Sequence, residues 1–176
     1  MEAHEKQGIL ADLEKGRKAL LDVLGGVTGE VAAKRPAPGR WSVLECVEHL
    51  AISEDYLFSQ IAASRYSDVA MANKDREALI PSRGVDRTRA AQTPEAGRPT
   101  GRFSTLRGAE EHFLASRHRT MRFVEDCGED LRCRLTSHPL AETVNCYEML
   151  LIMAAHAHRH SKQIEEIKAA LASAAP

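Results

Sequence analysis

Four long stretches of the sequence carry apolar residues at the spacing of an amphipathic helix, and this pattern limits what the chain can fold into. The predicted helices cover residues 5–24, 42–66, 104–127 and 145–172. A weakly alternating stretch at 131–144 is interpreted as an extended loop or one short strand. No internal repeat or strand-rich region accompanies the pattern. The sequence therefore predicts an all-α fold, a four-helix bundle.

Local signals mark the beginning of two of these helices. Ser42 and Glu45 have the spacing of a capping box, and Asn145 and Glu148 repeat it at the last helix. We therefore interpret Glu45 as a helix cap, and as a general base only if its side chain turns toward a metal. Trp41 is predicted to cover the start of the second helix as a hydrophobic staple.

The segment 67–103, between the second and third predicted helices, lacks sustained periodicity and contains three prolines and six arginines. We interpret it as a long loop, a kind of connection that is uncommon in compact domains and is often functional or disordered. A loop of this length can return along the full height of a helix, so the second and third helices are expected to run parallel. Its arginines form either a solvated surface or a cover over a site that attracts an anionic substrate.

Length and composition restrict the class of protein. A chain of 176 residues fits one domain over 1–176, and its net charge of −1 lacks the basic excess of a nucleic-acid binder. No stretch resembles a secretion signal or a membrane span, so we expect a cytoplasmic protein with no membrane partner. The four cysteines form no CxxC pair and are interpreted as free thiols.

The most informative polar motif is "HAHRH" at 156–160, which follows an apolar stretch. His156 and His160 are four residues apart and share one face of the last helix, as two ligands of a divalent metal do. Spacing alone also fits buried or rim histidines that neighbours satisfy. His158 points to the opposite face and is predicted to be solvated. His49, about two turns into the second helix, offers a third imidazole.

Three segments together resemble one protein family. "RWSVLECVEHLAISE" (40–54), "PEAGRPTGRF" (94–103) and "HPLAETVNCYEMLLIMAAHAHRHSKQIEEI" (138–167) are similar to the DinB-like superfamily of bacterial metalloenzymes. The resemblance implies a dimeric bundle with up-down-down-up helix order and a divalent metal bound by three histidines near one end. Carried over by position, the metal ligands are His49, His156 and His160.

Three imidazoles leave at least one coordination position open, which is typical of catalytic rather than structural zinc sites. The expected function is a metal-dependent enzyme that activates water or a small thiol, either a hydrolase or a thiol S-transferase. The alternative is a non-catalytic dimeric metal-binding or interaction module. Zinc or nickel is the expected ion, with iron or manganese as alternatives. No general acid or base is identifiable, so the catalytic residues stay unknown.

The expected partners are a small-molecule substrate, with a low-molecular-weight thiol as the leading candidate, and a second copy of the chain. The stretch "MLLIMAA" is apolar almost all round, more than one buried stripe requires, so the first and last helices are the expected dimer surface. Gln163 is interpreted either as a rim amide or as a hydrogen-bond partner of a ligand, and His118 as able to face inward. The remaining histidines are predicted to be solvated: His4, His112 and His138.

Overall fold

The structure, a computed structural model, describes residues 1–88 and 93–174 and is mostly helical. Its helices are α1 (Ala3–Leu24), α2 (Gly29–Ala33), α3 (Val43–Ala62), α4 (Lys74–Val85), α5 (Leu106–Asp126) and α6 (Cys146–Ser173). Its strands are β1 (Arg65–Tyr66), β2 (Arg134–His138) and β3 (Glu142–Asn145). Two 3-10 turns span Glu95–Gly97 and Leu131–Cys133. The four long helices α1, α3, α5 and α6 correspond to the four predicted from the sequence.

The long helices form a four-membered ring, in which α6 packs on α1 and α3, and α5 packs on the same two helices from the other side. Two apolar clusters fill the interior. One joins the C-terminal part of α1 and of α6 to the N-terminal part of α3 and α5. The other joins the opposite ends of the same helices.

The predicted caps are present. The Ser42 hydroxyl accepts from the Glu45 amide at 3.2 Å, and the Glu45 carboxylate accepts from the Ser42 amide at 2.8 Å. Asn145 and Glu148 make the same exchange at 2.8 and 3.2 Å. These boxes fix where α3 and α6 begin, and therefore how far along each helix its histidines lie.

A small sheet corrects two sequence predictions. The second long helix ends at Ala62 rather than at residue 66, because Arg65 and Tyr66 pair with β2. The stretch 131–144 is neither a loop nor a single strand, since β2 and β3 form an antiparallel hairpin with His138 opposite Glu142. The Thr136 hydroxyl donates to the Gln60 carbonyl at 2.9 Å, which ties the hairpin to the end of α3.

The segment 67–103 contains a helix that the sequence analysis missed. Asn73 caps α4, which runs for 12 residues and packs along α6. Pro81 and Gly84 lie inside α4 and hide its periodicity. Gly84 is required for the close approach, because a Cβ there would lie 2.6 Å from the Ala155 Cβ on α6. The described part of the segment thus contains a helix and is not a loop without secondary structure.

The four cysteines are free thiols, as predicted, and Cys46 and Cys146 are buried. Over residues 1–88 and 93–174, no helix combines the length and the apolar character needed to cross a membrane.

Candidate metal centre

Three histidines from two neighbouring helices meet at one end of the bundle. His49 lies in the second turn of α3, whereas His156 and His160 lie one turn apart on α6. Because α3 and α6 pack against each other, the second turn of α3 meets the middle of α6, and these side chains come together there. His49 and His160 are buried, and His156 is half-buried.

The three imidazoles converge through their Nε2 atoms. The Nε2 atom of His156 lies 2.9 Å from that of His49 and 3.0 Å from that of His160. The ring planes are steeply inclined to one another, at 62° to 86°. The ligand atoms of all three lie within 4.8 Å of one another, so this group could hold a metal ion. The structure therefore brings together the three histidines that the sequence analysis selected.

The backbone around Gly97 sets the tautomer of His49. The Gly97 carbonyl accepts from His49 Nδ1 at 2.5 Å, so the neutral ring carries its proton on Nδ1 and presents a lone pair at Nε2. A Cβ at Gly97 would lie 3.3 Å from His49 Cε1, so only glycine fits without displacing the ring. Buried Glu48 accepts from the amides of Thr100 and Arg102 at 2.7 and 2.9 Å and holds this loop in place.

Burial keeps the cluster neutral. Desolvation lowers the pKa of His49, and the hydrogen bond to Gly97 offsets this only in part. The pKa values of His156 and His160 lie well below the ordinary histidine range, because burial and the charges of neighbouring imidazoles both disfavour protonation. Gln163 raises the pKa of His160 slightly against this trend. Neutral imidazoles are the form that binds a metal.

The cluster opens into a cavity of about 1050 Å³. Trp41 forms part of its wall, with its ring centroid 5.0 Å from that of His49 and stacked at 6.2 Å on His160. Trp41 also packs against the apolar cluster at the start of α3, as the staple prediction required. Its position beside the histidines was not predicted, because the spacing of one aromatic residue before a helix does not show which side of the ring faces a site.

His138 is a cavity residue that the sequence analysis placed in solvent. It ends β2 and is half-buried in the wall of the same cavity. Its Nδ1 atom accepts from the Leu140 amide at 3.2 Å, so the neutral ring carries its proton on Nε2 and can donate there. Burial, followed by the charge of Arg76, lowers the His138 pKa. No spacing in the sequence relates His138 to α3 or α6, because the β2–β3 hairpin sets its position.

The other polar residues from the sequence analysis lie outside the cluster. His112 is half-buried rather than solvated, because its Nε2 atom bonds the Asp55 carboxylate at 2.7 Å. His4 and His118 are exposed, so His118 does not face inward. His158 is half-buried rather than solvated, and, as predicted, it lies away from the other two histidines of its motif and does not line the cavity.

Two further predictions concern Glu45 and Gln163. Glu45 caps α3 and pairs with Arg35 rather than turning toward the histidines. Gln163 lines the cavity, and its amide oxygen accepts from Arg87 at 3.2 Å. Its role as a hydrogen-bond partner of a ligand stays a prediction.

Comparison with known proteins identifies a solved structure of similar fold and the family of the chain. A solved structure, YfiT from Bacillus subtilis, described as a probable metal-dependent hydrolase with an unusual four-helix bundle topology, matches with a TM-score of 0.62 and 16% identity. The match covers 98% of this chain and 90% of that chain. No curated protein matched. The family model of the DinB superfamily matches residues 12–164. The chain therefore belongs to the DinB superfamily.

Proposed function

We propose that the protein is a metal-dependent hydrolase whose divalent ion is bound by His49, His156 and His160. The observation that carries this proposal is the convergence of three buried or half-buried Nε2 atoms at the floor of a large cavity. The likeness to YfiT supports the fold, and the description of that protein as a probable metal-dependent hydrolase suggests the reaction class.

The histidines fit a cation better than they fit one another. With its proton on Nδ1, His49 can only accept at Nε2, while His156 Nε2 lies within 3.0 Å of both other Nε2 atoms. A single N–H on His156 can serve only one of these contacts, so protons alone cannot satisfy the cluster. A divalent ion accepts all three lone pairs at once. Imidazole donors suit zinc or nickel first, with iron or manganese as weaker alternatives.

Such an ion, when bound, supplies a Lewis acid that lowers the pKa of a coordinated water or thiol. The remaining steps fall to the protein. His138 offers an Nε2–H in the cavity wall, where it can donate to a carbonyl oxygen of the substrate. Trp41 covers His49 and His160 and limits the access of bulk water to them.

Metal loading and hydrolysis test the proposal together. Protein stripped with a chelator and reloaded separately with zinc, nickel, iron and manganese is assayed for metal content and for hydrolysis of aryl esters and amides. We expect one ion per chain, hydrolysis that returns with the ion, and loss of both in His160→Ala. His158→Ala, on the same helix but outside the cavity, is the matched control. Stoichiometric metal in His160→Ala, or equal losses in both variants, would contradict the assignment.

The cavity also favours a second candidate, because about 1050 Å³ is far more room than one water needs. A low-molecular-weight thiol fits there and would make the protein a thiol S-transferase. Consumption of a thiol by an electrophile, dependent on the loaded metal, identifies this reaction. Stoichiometric metal without either reaction would indicate the non-catalytic metal-binding module.

We also propose an up-down-down-up order of the four long helices within one domain. The support is that α3 and α5 begin in the apolar cluster where α1 and α6 end. This order makes α3 and α5 parallel, with the segment 67–103 as the crossover. A single cooperative unfolding transition over the chain would support one domain.

The homodimer stays a proposal, but the structure does not support the apolar surface that the sequence analysis assigned to it. The apolar stretch of α6 that suggested it is already covered, since α4 packs along α6 and most residues from 149 to 155 are buried. The exposed large apolar side chains lie elsewhere, at Tyr66, Val69, Met71, Leu79 and Leu140. Light scattering at micromolar concentration should give twice the 19.4 kDa of one chain, and a single-chain mass would rule the dimer out.

A further inference from the structure

We propose that the site selects substrates that carry a carboxylate or phosphate group, and that Arg40 binds this group beside Trp41, with Arg83 and Arg98 as further cations on the rim. The reaction of such a substrate rests on the proposed function, whereas the binding of its anionic group requires only the arginines.

Two cavities meet at Arg40 and Trp41. The smaller, of about 550 Å³, shares Gly39, Arg40, Trp41 and Thr93 with the cavity above the histidines. Trp41 therefore stands between an outer vestibule and the candidate metal centre. A ligand that extends from one space into the other passes both the indole and the Arg40 guanidinium.

Positive charge is concentrated in the walls of these cavities. The described lining residues include six arginines but only three acidic residues and no lysine, although the whole chain carries a net charge of −1. A cleft lined with one sign of charge raises the local concentration of ligands of the opposite sign. The guanidinium group also matches the planar oxygens of carboxylates and phosphates, which it can bind through two parallel hydrogen bonds.

Three of these arginines are available to a ligand, whereas others are already engaged. Arg35 pairs through two contacts with Glu45, and Arg87 pairs with Glu166 at 2.8 and 2.7 Å.

The three available arginines differ from these two. Within the part of the chain that the structure describes, neither the Arg40 nor the Arg83 side chain has a carboxylate within ion-pair distance. Among the described residues, the side chain of Arg98 makes only a long bond of 3.4 Å to the Thr93 carbonyl. The unpaired cations thus lie where a substrate would enter.

Trp41 is the only tryptophan of the chain, so its fluorescence reports on this position alone. The probes are 3-phenylpropionate and 3-phenylpropanamide, which have similar size and shape and differ in charge, together with 2-phenylethyl phosphate. Each is titrated into metal-free and metal-loaded protein. We expect the carboxylate or the phosphate to quench Trp41 saturably and to bind roughly tenfold more tightly than the amide, as a charge-assisted hydrogen bond predicts.

Variants assign the effect to Arg40. Arg40→Gln should reduce the affinity for the anion to that for the amide, and Arg40→Lys should retain part of the preference. Arg122→Gln, which removes an exposed arginine of α5 outside both cavities, is the control and should bind like the unaltered protein. The ratio of carboxylate to phosphate affinity identifies the anion that the subsite prefers.

Equal affinities for acid and amide, no binding of either anion, or the same loss in Arg122→Gln would overturn the inference. Failure of the proposed function is distinguishable from this result. If the metal-free protein binds the anion but no metal-loaded form hydrolyses or transfers anything, the anion subsite stands and the reaction is wrong. If metal-dependent activity is found without discrimination between acid and amide, the proposed reaction stands and the anion subsite is wrong.

Discussion

At the scale of single residues, the hydrogen bond from His49 to the Gly97 carbonyl decides which ring nitrogen can bind a metal. It holds the proton at Nδ1, 2.5 Å from the carbonyl oxygen, and leaves Nε2 toward His156. The buried Glu48 carboxylate fixes the following backbone. The ligand geometry therefore depends on a loop between α4 and α5 as much as on the two helices.

Gly97→Ala should loosen this arrangement without unfolding the protein. The new Cβ would lie 3.3 to 3.4 Å from His49 ring atoms, so the ring or the carbonyl must move by a few tenths of an ångström. Loss of such a supporting contact typically weakens metal binding by roughly 10- to 100-fold. Metal titration of the variant measures this, with Gly128→Ala as control because its Cβ meets nothing within 4 Å. Unchanged affinity in Gly97→Ala would show that the contact does not position His49.

The lowered pKa values of the three histidines predict the pH dependence of metal binding. Protons compete with the metal only where the folded protein accepts them, and burial lowers the pKa of His49, His156 and His160 below the ordinary value of 6.5. Binding should therefore persist through pH 6.5 and fall only at lower pH. Affinity measured at a series of pH values checks this, and half-loss above pH 6.5 would contradict it.

The same shifts predict a loss of stability of the metal-free protein in acid. Between the lowered folded pKa values and the ordinary unfolded value, the unfolded chain binds more protons, so stability falls as the pH drops through about 6.5. Urea unfolding of the metal-free protein at pH 7.5 and pH 5.5 measures the difference. A protein at least as stable at pH 5.5 would contradict the burial of these imidazoles.

Helical spacing pointed to His156 and His160 as a possible ligand pair, but the selection of all three histidines rested on the resemblance to the DinB-like superfamily. The sequence could not select Gly97 or His138, whose positions depend on a loop and a hairpin rather than on helical periodicity. Trp41 was visible as a helix staple, but its contact with two histidines depends on how α3 and α6 pack. The paired histidines on one helix face were thus visible in the sequence, whereas the site residues brought in by connections were not.

At the scale of elements, α4 is the clearest departure from the sequence prediction. A proline and a glycine inside a helix are normally signals against one, and α4 tolerates both since its packing on α6 stabilises it. Gly84 shows the physical reason, because only a residue without a Cβ lets the two backbones approach at Ala155. Gly84, which argues against a helix in the sequence, is therefore the residue that allows α4 to pack closely on α6.

Gly84→Ala should therefore destabilise the protein, by about 1 to 3 kcal/mol, because its Cβ would overlap that of Ala155 at 2.6 Å. In an Ala155→Gly background the same substitution should cost about 1 kcal/mol less, since the opposing methyl is gone. Urea denaturation of the four proteins in this cycle gives the coupling. Gly8→Ala, in α1 with open space around it, is the helical control and should not destabilise. If the two substitutions are not coupled, α4 does not pack against α6 at Ala155.

At the scale of the whole molecule, one side chain connects all four long helices. Arg117 on α5 is fully buried and pairs with Glu54 on α3 through bonds of 2.7 and 2.9 Å. It also donates to the carbonyl of Leu13 on α1 at 2.8 Å and to that of Met153 on α6 at 3.1 Å. Apolar periodicity predicts that the helices pack, but it does not predict this polar connection. A charged residue on a predicted helix is ordinarily assigned to the surface.

Arg117→Met should cost about 3 to 5 kcal/mol, because it leaves the buried Glu54 carboxylate without its counter-charge. That is a large share of the 5 to 15 kcal/mol that typically separates folded from unfolded states. Replacing both partners, as Arg117→Met with Glu54→Met, should recover part of the loss, since no buried charge remains. Recovery stays incomplete because the carbonyls of Leu13 and Met153 still lack the donor they have in the native protein. Urea denaturation of the two single variants and the double variant decides the point. If the double variant is as unstable as the sum of the two single ones, the pair is not coupled and the buried ion pair does not hold the bundle together.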